Sequence, residues 1–236
     1  MRAVILAAGR GSRMAEIGDE RPKCLVELAG KKLIERQIAA LRGGGAEVVG
    51  VVRGYRAEMI DYPGLSYFRN PRWAETNMVM SLAAAAEWLA SGTVIVSYAD
   101  IFYGRDLVIS FDRAWRQLWT QRFADPLADA ETFRTDASGR LTEIGNKTTN
   151  IGEIEGQYMG LLKFTPRAWG AVATLLAGLD PEARDRLDMT SLLRHLLGLK
   201  FPIATFGTQG QWGEVDNPTD LALYQRMIDA GQLRLE

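Results

Sequence analysis

A short apolar run that spills directly into glycines, Ala3-Val4-Ile5-Leu6-Ala7-Ala8-Gly9-Arg10-Gly11-Ser12-Arg13, constrains this chain more than any other stretch. Residues 3–6 read as a strand covered on both faces, because no polar residue interrupts them. The loop that follows is built of small residues, so backbone N–H groups can close on an anion, and its arginines match phosphate geometry. A strand opening into such a loop at its carboxyl end marks where open α/β sheets bind ligands. The stretch is neither of two common fingerprints. Met14 stands where G-x-G-x-x-G needs its third glycine, and G-x-x-x-x-G-K-[ST] is absent. An ordinary βα turn is the plain alternative.

The rest of the chain supplies the alternation that a parallel sheet needs. Residues 32–42 place Leu33, Ile34, Ile38 and Leu41 near a 3.6 period and run into Gly43-Gly44-Gly45, a helix and its stop. Residues 47–52, 65–68 and 93–98 read as strands, with a helical turn near 57–60. Thr76 or Asn77 is placed to cap a helix that runs through residue 90. The pattern predicts an α/β fold, a mixed and mostly parallel Rossmann-like sheet with helices on both faces. Residues 131–133, 141–144 and 158–164 read as further strands, some antiparallel, and residues 166–176 and 190–199 as helices. No linker or composition break divides the 236 residues, which predicts one domain over 1–236.

Composition narrows the function classes. The net charge of −1 gives no field that would favour nucleic acid or an anionic membrane. No window approaches the roughly 18 apolar residues of a membrane span, and the initial run is short for a signal peptide. A cytoplasmic location is the default expectation. The single cysteine, Cys24, excludes an internal disulfide, and the single histidine, His195, excludes a multi-histidine metal cluster. Cys24 reads as a small buried apolar residue.

A second motif follows the loop. In Arg21-Pro22-Lys23-Cys24-Leu25-Val26-Glu27-Leu28, proline fixes the backbone before Lys23 and presents that lysine from a stiff, extended segment. The two motifs in this order resemble the nucleoside-triphosphate transferase family that includes the sugar-1-phosphate nucleotidyltransferases. The similarity continues through Asp100 to Glu214-Val215-Asp216. It implies that Leu6, Ala7, Ala8, Gly9, Arg10, Gly11 and Ser12 wrap a triphosphate, that Lys23 and Arg13 meet phosphate oxygens, and that magnesium sits between Asp100 and Asp216.

The residues themselves agree with the metal assignment. Asp100 closes the strand Val94-Ile95-Val96-Ser97-Tyr98-Ala99, at the ligand-binding edge of the sheet. Asn217 and Pro218 read as the cap and first residue of a helix, leaving Asp216 at the end of a preceding strand. Carboxylates beside a phosphate loop are the hard oxygen ligands that magnesium takes. A turn former and a partner for the helix N-terminus are the plainer roles for Asp100 and Asp216. Glu214 and Asp220 rank below them as ligands.

Thr76-Asn77-Met78-Val79-Met80-Ser81-Leu82 resembles the branch similar to phosphocholine and aminoethylphosphonate cytidylyltransferases, which use CTP. An Asn side chain offers a donor and an acceptor to a cytosine edge, so Asn77 is the candidate reader, with Ser81 on the same helix face. Capping alone is its plain alternative. Residues 151–160 also resemble that branch, which implies that Gln157 and Tyr158 line the acceptor pocket. Trp115 and Trp119 share a helix face and would hold a substrate cation by cation–π contacts, unless they are simply core. Phe102-Tyr103-Gly104-Arg105-Asp106 is shorter than the family's excursion at this point, so the acceptor pocket, expected mainly within 102–200, departs from the family's pattern.

The expected activity is transfer of CMP from CTP to a small phosphorylated or phosphonate acceptor, with release of pyrophosphate. The alternative is a sugar-1-phosphate uridylyl-, thymidylyl- or guanylyltransferase. A catalytically silent nucleotide-binding subunit fits less well, because the lysine and both aspartates are present. The expected partners are the nucleotide and the acceptor, with a homodimer left open and no nucleic acid or membrane.

Overall fold

A computed structural model describes residues 1–11, 21–109, 131–148, 150–207 and 211–235. From the amino end come β1 (Arg2–Ala7), β2 (Glu27–Leu28), β3 (Lys31–Lys32), α1 (Leu33–Gly43), β4 (Val48–Arg53) and β5 (Ser66–Arg69). Next are α2 (Met78–Ala83), α3 (Ala86–Ser91), β6 (Val94–Tyr98), β7 (Ile101–Tyr103) and α4 (Arg105–Ile109). The second half adds β8 (Thr132–Thr135), β9 (Leu141–Ile144), β10 (Gly156–Gln157), β11 (Leu161–Phe164) and α5 (Pro166–Gly178). It ends with α6 (Pro181–Arg186), α7 (Met189–Gly198), β12 (Trp212–Glu214) and α8 (Pro218–Asp229).

The central sheet has the order β11-β6-β1-β4-β5. Strands β6, β1, β4 and β5 are parallel, and β11 closes one edge antiparallel to β6. From β1 the chain builds outward through β4 and β5, then returns to add β6 on the other side of β1. The carboxyl ends of β1 and β6 therefore flank a topological switch point, where an open sheet leaves a crevice. A smaller antiparallel sheet, β10-β8-β9, and the antiparallel pairs β12-β7 and β2-β3 complete the strands.

The apolar run of β1 is buried because alternate residues serve opposite layers. Ala3, Ile5 and Ala7 pack with Ile34, Ile38 and Leu41 of α1. Val4, Leu6 and Ala8 pack with Val79 and Leu82 of α2, Leu89 of α3, and Val172 and Leu192 of α5 and α7. Burying each large aliphatic side chain is worth about 1.5–3 kcal/mol, so these two layers fix the strand that carries the loop.

Several elements differ from the sequence reading. The helix expected to run to residue 90 divides into α2 and α3, because Ala84 and Ala85 bond back to Ser81 (3.2 Å) and Leu82 (3.0 Å) in tight i→i−3 turns. The strand expected over 158–164 begins only at Leu161, after Gly160, whose φ is +79° and whose Cβ would lie 2.6 Å from the Tyr98 ring. Two helices were not expected, the short α4 and α6; α6 is capped by Asp180, which accepts from Glu182 N at 3.1 Å and Ala183 N at 3.0 Å, with Pro181 at its first position. Among the described residues, no helix is long and apolar enough to cross a membrane.

Candidate active site

The crevice at the switch point is a cavity of about 210 Å³. Its floor is Leu6, Ala7, Ala8, Gly9 and Gly11, and Lys23 and Asp100 stand at one end. Two glycines shape it differently. A Cβ on Gly9 would meet nothing within 4 Å, so the missing side chain leaves room for a ligand against the backbone. Gly11 has φ +67°, and a Cβ there would come within 2.9 Å of Lys23 Cβ. That glycine lets the loop close over the lysine.

Lys23 is presented otherwise than the sequence suggests. Pro22 is extended, with ψ 138°, but Lys23 itself opens a single 3₁₀ turn, Lys23–Leu25, closed by Val26 N bonding to Lys23 O at 3.1 Å. The side chain reaches across the crevice and donates to Asp100 Oδ2 at 2.9 Å and to Asp216 Oδ1. Burial pushes the Lys23 ammonium down, and the two carboxylates more than offset that, so its pKa lies above the ordinary lysine value.

Asp216 arrives from the far end of the chain. Strand β12 pairs with β7, placing Glu214 opposite Ile101, and Val215 N then bonds to Asp100 O at 2.9 Å. The strand stops at Glu214, two residues earlier than expected, because Asp216 and Asn217 join the start of α8. Asp220 Oδ2 accepts from Asp216 N at 2.8 Å and Asn217 N at 3.1 Å, while Asn217 caps Thr219 and Asp220. Asp220 is thus committed to a capping box. Glu214 instead joins Asp100 and Asp216, one carboxylate oxygen from each lying within 4.8 Å of the others. Asp100 Oδ1 is buried with no hydrogen-bond partner among the described residues. An orphaned carboxylate oxygen beside two more carboxylates is a donor set that suits a hard divalent cation.

The other end of the cavity is walled by Trp73, Thr76, Asn77, Met78 and Ser81. Asn77 caps α2, its Oδ1 accepting from Met78 N at 2.7 Å and its Nδ2 donating to Arg186 O at 3.2 Å. Ser81 Oγ accepts from the buried Asn70 Nδ2 at 3.1 Å. Tyr98 closes the side wall. It is the last residue of β6, and Asp100 follows it in the turn that borders the same crevice. The sequence reading passed over Tyr98. Trp73 and Asn70 were also missed, and no motif outside the loop that contains them would have found them.

Gln157 and Tyr158 are not in this cavity. They line a second, larger one of about 410 Å³, with Phe133, Ile144, Leu162 and Phe201 among its apolar walls. The two cavities back onto one aromatic pair, Tyr98 and Tyr158, which meet edge to face at 5.7 Å. Arg10 is exposed, its guanidinium 5.7 Å from the Tyr55 ring centroid. Ser12, Arg13, Trp115 and Trp119 lie outside the described residues. Cys24 is buried, and burial pushes its thiol up to about 12, leaving it inert.

The sequence profile of the MobA-like NTP transferase domain matches residues 3–126, the part that carries β1, the loop, Lys23, α2 and Asp100. The chain belongs to that family. This NTP transferase is 34% identical over 248 residues to a CTP:phosphoglutamine cytidylyltransferase of Campylobacter jejuni, covering 94% of the chain and 98% of that protein. It is 30% identical over 148 residues to a 2-aminoethylphosphonate cytidylyltransferase of Lancefieldella rimae, covering 61% and 60% of the two. Its fold matches the solved CTP:phosphocholine cytidylyltransferase of Streptococcus pneumoniae with a TM-score of 0.72 at 20% identity, over 96% of this chain and 98% of that one. The mixed sheet with helices on both faces is the nucleotide-diphospho-sugar transferase type expected from the sequence.

Proposed function

We propose that this NTP transferase moves CMP from CTP to a small acceptor bearing a phosphate or phosphonate and releases pyrophosphate. The observation that carries the proposal is the meeting of Lys23 with Asp100 and Asp216 at the end of a glycine-floored cavity on the switch point. The choice of CTP rests on the similarity to cytidylyltransferases across nearly the whole of both chains.

An acceptor oxygen attacks the α-phosphorus in line. The new P–O bond forms as the bond from the α-phosphorus to the bridging oxygen breaks, and pyrophosphate leaves with that electron pair. The nucleophile is already an anion near neutral pH, so no side chain has to remove a proton. The protein's part is positioning and charge neutralisation. Gly9 lets the triphosphate approach the backbone. Lys23, whose ammonium bridges two carboxylates, lies against Gly11 and supplies positive charge to phosphate oxygens. Asp100 and Asp216, with Glu214 adjacent, would hold magnesium, which neutralises phosphate charge when bound. Arg13 is assigned with Lys23 to the departing pyrophosphate or the α-phosphate, and Trp115 and Trp119 to the acceptor.

Pyrophosphate release, measured with four nucleotides against a panel of phosphorylated amines, amides, alcohols and sugars, tests the proposal. CTP with a non-sugar acceptor should be the fastest pair, and magnesium should be required. Efficient turnover of glucose-1-phosphate with UTP or dTTP would replace the proposal with the sugar-1-phosphate alternative.

A further inference from the structure

The wall of the nucleotide cavity that holds Trp73, Thr76 and Asn77 has little structure of its own. Residues 70–77 form turns between β5, an edge strand of four residues, and α2, a helix of six. A helix that short does not hold itself. Asn70 staples the loop from within. It donates to Thr76 Oγ1 at 3.0 Å and to Ser81 Oγ at 3.1 Å, and accepts from Arg72 N at 3.0 Å.

The outer support comes from more than a hundred residues away. Asn77 N donates to Asp185 O at 2.7 Å, and Val79 N to Leu187 O at 3.4 Å. Asn77 Nδ2 adds a bond to Arg186 O at 3.2 Å. The N-cap amide and one first-turn amide of α2, which at other helix starts would await an anion, are thereby committed to carbonyls at the end of α6. Across the same seam Arg72 and Asp185 pair in a two-pronged contact, Nη1 to Oδ1 at 3.3 Å and Nη2 to Oδ2 at 2.5 Å. Arg72 N–H groups also tie to Glu75 within the loop, so the guanidinium connects the loop to the strut. The Asp185 side chain is only 13% exposed, so the carboxylate is held in place.

We propose that Arg72 and Asp185 are positioning residues for the nucleotide: the end of α6 sets the spacing of the 70–79 wall, and through it nucleotide affinity and base choice. The proposal rests on the nucleotide occupying this cavity. Neither residue lines the cavity itself, so each acts only through the wall.

The test pairs kinetics with a measurement that needs no activity. Asp185→Asn and Arg72→Ala should each raise KM for the nucleotide that the parent turns over fastest, by about fivefold, the scale of a well-formed, partly exposed charge pair. Values of kcat and of acceptor KM should stay within about twofold, and the preference among bases should narrow. Asp185→Glu, which keeps the charge, should recover most of the loss. By hydrogen exchange, the amides of Asn77 and Val79 should lose protection in Asp185→Asn while those of β1 do not. Parent-like KM and exchange in both variants would overturn the proposal. So would a rise in acceptor KM equal to that of the nucleotide, which would mark a general loss of structure. If the parent binds no nucleotide by calorimetry, the function proposed above fails. If it binds and the variants bind equally well, only the positioning role fails.

Discussion

The two cavities that meet at the Tyr98–Tyr158 contact are built on opposite principles. The smaller brings Lys23, Asp100 and Asp216 together from three distant parts of the chain, each held by backbone ties of its own. The larger is a gap between mostly apolar side chains of β8, β9, β11, α7 and the segment after it, with Gln157 and Tyr158 among its few polar groups. Charge is costly to bury, so a charged site must be specified closely, residue by residue. An apolar cavity needs only approximate volume, and many sequences supply it. Substitutions should therefore act sharply in the first and mildly in the second.

The largest effect is expected at the carboxylates. Asp100→Asn and Asp216→Asn should each lower kcat by about a thousandfold or more, because a neutral amide cannot replace a charged hard ligand. Nucleotide binding through the glycine loop should survive, as read by calorimetry. A variant that kept the parent's magnesium response would remove that aspartate from the metal site and blur the contrast between the cavities.

Lys23→Ala comes next, with a loss of about 2.7–4 kcal/mol of transition-state stabilisation, the worth of one well-aimed donor. A second effect sharpens the comparison. Without the ammonium, Asp100 and Asp216 lose the cation that bridges them, so thermal stability should drop in metal-free buffer and recover when magnesium is added. The parent should gain less from magnesium, since its lysine already balances the pair. Equal gains in parent and variant would show that the cation and the lysine do not answer the same charge.

How much of this was readable in advance follows from the same division. The run from Ala3 to Gly11 announced a strand and a ligand loop because its apolar period and its glycines are local facts. Asp100 and Asp216 could be placed at strand ends for the same reason, although Asp216 proved to belong to the helix cap, held by Asp220. Glu214, ranked below the two aspartates, nevertheless comes to lie beside them. Its proximity to Asp100 depends on β12 pairing with β7, which no local pattern reports. Lys23 was seen, but its 3₁₀ turn was not. The supports of Asn77 were illegible because they come from residues 185–187, whose helix went unnoticed despite the Asp180-Pro181 start.

Asn77 sits between the two principles, being both a structural cap and a wall of the nucleotide cavity. Asn77→Ala should cost about 1 kcal/mol of stability, the usual worth of a cap, read from chemical denaturation. It should also narrow the preference for CTP over UTP by more than it lowers kcat with CTP. A stability loss of this size with an unchanged base preference would leave capping as the whole of its role, and base choice would then have to come from Ser81 or the loop backbone.

The smallest effect is expected at Gln157. Its side-chain carbonyl oxygen is buried in the apolar cavity with no hydrogen-bond partner among the described residues. Such a group contributes nothing to the folded state and carries its desolvation cost. Gln157→Met, close in volume, should therefore leave stability unchanged or raise it by up to about 1 kcal/mol, in contrast to Lys23→Ala at the charged end. If the oxygen is kept because it meets the acceptor, the acceptor KM should rise while kcat at saturating acceptor and nucleotide KM hold steady. A clear loss of stability would mean that Gln157 is bonded in the folded protein. An unchanged acceptor KM would separate this cavity from the reaction and move the acceptor to the open side of Lys23.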